Sequence, residues 1–219
     1  TARRSGELDA LVTEIGQHGG EAVAVPGDAR DERVARACVD AAVGRFGGLD
    51  IAFNNAGSVG QLGPAHDVPL DAWRETLDIN LTAAFLCARH QIPAMLARGG
   101  SSLIFTSTFV GYTAGMPGMV AYAASKSGLI GLTQVLAAEF GAHGVRVNAV
   151  LPGGTDTPMG RSVVDTPEKR AFVEGLHALK RIAEPDEIAR SVLHLASDAA
   201  SFVTGTAFLV DGGASICRS

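Results

Sequence analysis

Cysteine is scarce: Cys38, Cys87 and Cys217 are the only three in 219 residues. Their number is odd and their spacing wide, which excludes a disulfide framework and a cysteine-based metal site and points to a reducing, cytoplasmic compartment. No apolar run approaches the ~20 residues a bilayer-spanning helix needs, and the first residues do not read as a secretory leader. Runs of Lys or Arg are absent and the formal net charge is -5, so there is no basic surface for nucleic acid. The six histidines show no pairing at ligand spacing, so no metal is expected, and His143 and His194 read as surface or core residues. Internal repeats and low-complexity segments are also missing. What remains is 47% hydrophobic and 19% charged, an ordinary globular composition with an apolar lean, in a chain long enough for one large core.

Short apolar runs alternate with helical periodicity. Helices are expected over 6–16, where Leu8, Leu11, Val12 and Ile15 share a face, and over 32–46, burying Val34, Cys38, Val39 and Ala42. Further helices are expected over 70–96, with Pro93 marking a bend, over 122–140 and over 186–195. Strands are expected over 22–25, 49–53, 103–106, 146–150 and 207–210. Strands that read as continuous apolar runs between helices predict an α/β fold, a parallel sheet covered on both faces.

Tyr122 and Lys126 are the most informative pair. Four residues apart on a helix, they project from one face into one small volume. A phenol with a pKa of about 10 is a poor acid-base group at neutral pH, and a neighbouring ammonium pulls that value down. The pair can relay a proton to a substrate oxygen. A half-buried tyrosine beside a solvated lysine would give the same spacing.

The order of motifs decides between them. Asn54-Asn55-Ala56-Gly57 ends one apolar run, Leu77-Asp78-Ile79-Asn80 lies in the next helix, and a strand-like run ends at Thr106-Ser107-Thr108. Tyr122 to Lys126 follows, then Val147 through Pro152-Gly153-Gly154-Thr155-Asp156-Thr157, and finally Val210-Asp211-Gly212-Gly213. This set resembles the short-chain dehydrogenase/reductase family, of the 3-oxoacyl-reductase-like type, along the whole chain. The resemblance implies a Rossmann-like, doubly wound parallel sheet in a single domain, with residues 157–180 as a substrate lid. It also implies a first strand, glycine-rich phosphate loop and helix ahead of Thr1, which this sequence does not contain, so the domain is expected to be N-terminally incomplete.

By the same resemblance the catalytic set is Asn80, a hydroxyl, Tyr122 and Lys126. Counting three back from Gly111 assigns the hydroxyl to Thr108, with Ser107 as the second choice; strand alternation allows only one of them to face the substrate. Asn80 would hold a water linking Lys126 to bulk solvent. NADP(H) is favoured over NAD(H), because Ala2 stands at the family's acidic position and Arg3 and Arg4 follow; both could instead be solvated loop arginines. Asp28, with Ala29 beside it, resembles the adenine-contacting acid, or caps the helix that begins near Asp31. Asn55, Ala56 and Gly57 would approach the adenosine ribose, Lys126 the nicotinamide ribose, and Pro152, Gly153, Thr155 and Thr157 the carboxamide. Either turn could also serve packing alone.

The substrate is expected to be a small carbonyl compound or secondary alcohol in an apolar pocket formed by 58–62, 112–119 and 159–179, with Val59, Leu62, Met116, Met119, Met159 and Phe172 in its wall. Helices 70–96 and 122–140 carry a second apolar face, including Ala83, Phe85, Leu132, Val135 and Leu136. That predicts a homo-tetramer or homo-dimer. A non-catalytic binding or regulatory protein of the same fold, and an epimerase or dehydratase using the same Tyr-Lys pair, are the competing functions.

Overall fold

A computed structural model describes residues 1–217. Its elements are α1 (Ser5–Gln17), α2 (Glu32–Phe46), β1 (Ile51–Asn54), α3 (Leu70–Leu77), α4 (Ala83–Leu96), β2 (Ser101–Thr106), α5 (Val120–Phe140), β3 (Val145–Pro152), α6 (Pro158–Val163), α7 (Pro167–Leu176), α8 (Pro185–Ala196) and β4 (Ala207–Val210). The four strands pair in parallel in the order β1-β2-β3-β4. All their carboxyl ends therefore share one edge.

Alternation along β2 and β3 divides the core. Leu103, Phe105, Val145, Val147, Ala149 and Leu151 meet Ala88, Ile92 and Met95 of α4 and Leu129, Ile130 and Leu136 of α5. From the other face, Ile104 and Val150 meet Leu195 of α8 with Phe208 and Val210 of β4. Each such large side chain stabilises the fold by roughly 1.5–3 kcal/mol relative to exposure. Asn148 is fully buried in mid-strand, and its amide is satisfied by the Val203 carbonyl at 2.9 Å and the Thr206 N–H at 3.2 Å, which fixes the approach to β4.

Three expectations need correction. The segment 22–25 forms no strand: its only ladder is a single parallel bridge between Ala2 and Pro26, outside the four-stranded sheet. Backbone without a neighbouring strand cannot build a ladder, and β1 is an edge with Ile51 50% and Phe53 43% exposed. The apolar face of α1 buries none of its residues, and α2 fully buries only Ala35. The expected helix 70–96 is divided by a π turn at Asp78–Thr82. Residues 157–180 contain two short helices, each started by a threonine cap and a proline at its first turn.

Candidate active site

The predicted residues lie at the carboxyl edge of the sheet and on the first turns of α5. Lys126 is buried, and its Nζ donates to the Thr106 carbonyl at the end of β2, 2.7 Å away. Burial pulls this ammonium down from 10.5 to about 8. The Thr106 hydroxyl in turn donates to Asn55 Oδ1 at 2.8 Å, which ties the end of β2 to the turn after β1. Gly57 in that turn is in close contact: a Cβ there would stand 3.0 Å from Lys126 Nζ and 3.1 Å from Asn80 Oδ1. No side chain fits without moving the lysine.

Asn80 sits in the π turn, 1% exposed. Its Oδ1 accepts from the Ser58 N–H at 2.8 Å, and its Nδ2 donates to the Ser58 carbonyl at 2.8 Å and to Ser125 Oγ at 2.9 Å. The amide thus braces the loop after β1 against α5. Single-turn π segments recur at functional sites because they rotate one residue out of the ordinary helical register.

The Thr108 hydroxyl accepts from the Val110 N–H at 3.3 Å and stands near enough to the Tyr122 phenol to influence its pKa. Ser107, one residue earlier, donates its hydroxyl to the Lys126 backbone carbonyl at 2.8 Å. β2 ends at Thr106, so strand alternation does not set these directions; the bond from Ser107 to α5 does. Burial pushes the Tyr122 phenol above its ordinary value, and the nearby Thr108 hydroxyl opposes that rise. The rise from burial is the larger effect on the phenol, and Lys126 is not among the groups that shift it here.

The remaining predicted residues divide. Asp28 accepts from the Arg30 guanidinium at 2.7 Å and from the Arg30 N–H at 2.9 Å, which holds its carboxyl down to about 2; the positive charge of Arg3 contributes. Asp31, not Asp28, caps α2. Ala29 follows Asp28 in the same turn. Arg4 pairs with Glu7 at 2.8 Å on the surface, whereas Arg3 makes no salt bridge among the described residues. Pro152 ends β3, Thr155 Oγ1 donates to the Gly153 carbonyl at 3.1 Å, and Thr157 caps α6 through the Gly160 N–H at 3.0 Å.

The residues expected to wall the substrate pocket differ in exposure. Met116 and Met119 pack with Phe109, Val110 and Tyr122, while Leu62, Met159 and Phe172 are exposed. Cavities of about 750 Å³, between Arg170, Arg181 and the start of α8, and about 270 Å³, lined by Val68, Trp73 and Val120, lie elsewhere. Ser125 and His177 are site residues that sequence reasoning passed over. Ser125 was visible inside the Tyr-to-Lys run; His177 carried no local signal. Among the described residues no group of three or more His, Cys, Asp or Glu could hold a metal, and no helix is long and apolar enough to cross a membrane.

A tyrosine, a buried lysine and two hydroxyls thus stand together at the carboxyl edge of a parallel sheet. A family profile described as Enoyl-(Acyl carrier protein) reductase matches residues 1–215. The chain is 40% identical over 201 residues, 91% of its own length and 80% of the relative's, to a 2,5-dichloro-2,5-cyclohexadiene-1,4-diol dehydrogenase of Sphingobium indicum. It is 37% identical over 202 residues, 92% and 78% of the two lengths, to a cyclohexanol dehydrogenase of an Acinetobacter species. Among solved structures, a Burkholderia cenocepacia gluconate 5-dehydrogenase in complex with NADP and tartrate superposes with TM-score 0.91 at 27% identity, over 98% and 84% of the chains. A Mycobacterium avium carveol dehydrogenase in complex with NAD superposes with TM-score 0.89 at 31% identity, over 95% and 80%. The chain belongs to the short-chain dehydrogenase/reductase family. It is an NAD(P)-dependent dehydrogenase acting on alcohol or carbonyl substrates.

Proposed function

We propose that this dehydrogenase interconverts a secondary alcohol and its ketone on an apolar ring, using NADP(H) in preference to NAD(H), with Tyr122 as the general acid/base. The observation that carries this reading is the gathering of the Thr108 hydroxyl, the Tyr122 phenol and, one helical turn on, the buried Lys126 at the carboxyl edge of the sheet. The ring comes from the relatives' names, a cyclohexadienediol and cyclohexanol.

The residues fit the cofactor on one physical ground. Lys126 is a buried ammonium with three donors and one acceptor, Thr106, among the described residues, so it is under-satisfied and suited to hydroxyls of a bound ribose. Asn55, Ala56 and Gly57 would hold the adenosine side, with Asp28 and Ala29 near the base and Arg3 or Arg4 at a 2'-phosphate. Pro152, Gly153, Thr155 and Thr157 would hold the carboxamide end. The bound nicotinamide supplies or accepts the hydride.

The chain's own residues handle position and proton. Tyr122 gives its proton to the substrate oxygen in reduction and takes it back in oxidation. Thr108 donates to the same oxygen and stabilises the charge that develops there. Lys126 holds the cofactor, and its charge beside the phenol favours phenolate once Tyr122 has given up the proton. Asn80 braces the turn that carries Gly57. Ser107 is held by α5 and stands aside. Residues 157–180 close over the substrate as a lid within a single Rossmann domain, and the enzyme works as a homo-oligomer in the cytoplasm, a compartment that suits three widely spaced cysteines.

A panel of cyclic and open-chain alcohols and ketones, assayed with both cofactors, tests the reading. Turnover of cyclohexanol-like alcohols, faster with NADP than with NAD, is the expected outcome. No turnover of any member with either cofactor would contradict it.

A further inference from the structure

His177 is 2% exposed and follows α7, far in sequence from every motif above. Its Nε2 accepts the Gly154 N–H at 2.9 Å, and its Nδ1 lies 2.7 Å from the Val173 carbonyl. A carbonyl only accepts, so Nδ1 carries the proton and donates, and Nε2 is the bare acceptor. One neutral ring therefore caps the last turn of α7 and holds the turn after β3. His177 leaves Val173 without its usual backbone donor, since its own N–H goes to the Glu174 carbonyl at 3.2 Å.

The glycines around the ring show how close this packing is. A Cβ on Gly153 would lie 2.7 Å from His177 Nε2, and one on Gly154 would lie 3.0 Å from its Cε1. The Leu179 N–H donates to the Gly212 carbonyl at 3.1 Å, so the same corner also holds the turn after β4. Three segments meet at a single imidazole.

The geometry points to His177 as a positioning residue that locks the Pro152–Thr157 turn to α7 and so sets the nicotinamide end of the cofactor site. This rests on the reading of that turn given above. Because the ring touches the turn and not the 28–57 side of the site, its influence is confined to one half of the cofactor.

Two substitutions separate the two ring nitrogens. His177→Asn keeps an amide near the Nδ1 position but loses the acceptor for Gly154, whereas His177→Gln carries an amide oxygen out to the Nε2 position. Affinities for NADPH and for adenosine 2',5'-bisphosphate are measured by titration, and exchange of the Gly154 amide by NMR. His177→Asn should weaken NADPH by about tenfold and His177→Gln by no more than about threefold, in line with loss of one buried acceptor. Bisphosphate affinity should be the same in all three proteins, and Gly154 exchange should quicken only in His177→Asn. Unchanged NADPH affinity and exchange in His177→Asn would overturn the inference, as would an equal loss for both ligands. If Gly154 exchange quickens in His177→Asn while NADPH affinity holds, the latch stands, and the placement of the nicotinamide at this turn fails instead.

Discussion

The Ser107 hydroxyl donates to the backbone carbonyl of Lys126 at 2.8 Å, whereas the neighbouring Thr108 hydroxyl stands near the Tyr122 phenol and opposes the rise in its pKa. Two adjacent hydroxyls thus have different surroundings: one ties the segment after β2 to α5, the other stands near the phenol. Thr108→Val keeps the shape and loses the donor, so kcat should fall by roughly 10- to 1000-fold. Thr108→Ser should retain activity. Ser107→Ala should lower thermal stability by the loss of one buried hydrogen bond, about 1 kcal/mol, with kcat little changed. Steady-state kinetics with a dead Ser107→Ala beside an active Thr108→Val would reverse the assignment.

Lys126 links function to stability with a definite sign. Its folded value near 8 lies below the ordinary 10.5, so the folded state binds the proton more weakly than the unfolded chain does. Stability therefore rises as pH goes from about 8 to above 10.5 and gains nothing further below 8. Lys126→Met removes the buried charge. It should abolish turnover yet raise the melting temperature at pH 7, with the gap over wild type closing as pH passes through that window. A melting temperature that falls at every pH would contradict the buried-charge argument.

Much of this was legible beforehand, and the exceptions have physical causes. β2 and β3 are almost wholly buried, and with β4 they read as continuous apolar runs, so pattern alone located them within one or two residues. Ala22–Val25 has the same composition but no neighbouring strand, and a ladder needs two. Asp78-Ile-Asn-Leu-Thr82 reads as ordinary helix; its π turn coincides with contacts of Asn80 to Ser58 and Ser125, 22 and 45 residues away. The rise in the Tyr122 phenol depends on burial, which spacing does not encode. His177 finds its partner Gly154 across 23 residues. Local reading had no access to it.

Arg3 bears on cofactor choice. Arg4 is occupied by Glu7, while Arg3 has no salt bridge among the described residues and its charge is felt at Asp28. Arg3→Asp should raise KM for NADPH by at least about tenfold more than for NADH, since it replaces an attraction to phosphate with a repulsion. Equal changes for the two cofactors would remove Arg3 from the 2'-phosphate.

Assembly rests on the outer sides of α4 and α5. Of the residues expected there, Ala83 and Leu136 are buried within the chain and Leu132 packs on the core, but Phe85 is 47% and Val135 56% exposed. A dimer or tetramer that covers these two should be converted to smaller species by Phe85→Glu with Val135→Glu, as followed by sedimentation. A wild-type monomer at micromolar concentration would contradict the assembly.

The most direct test of the central claim is the single-turnover rate of Tyr122→Phe with cofactor and alcohol saturating. The substitution removes only the phenolic oxygen, so cofactor affinity and melting temperature should stay near wild type while the rate falls by at least about a thousandfold, some 4 kcal/mol of transition-state stabilisation. A variant that retains a rate within about tenfold of wild type, a loss of only ~1.4 kcal/mol, would show that the proton travels by another route.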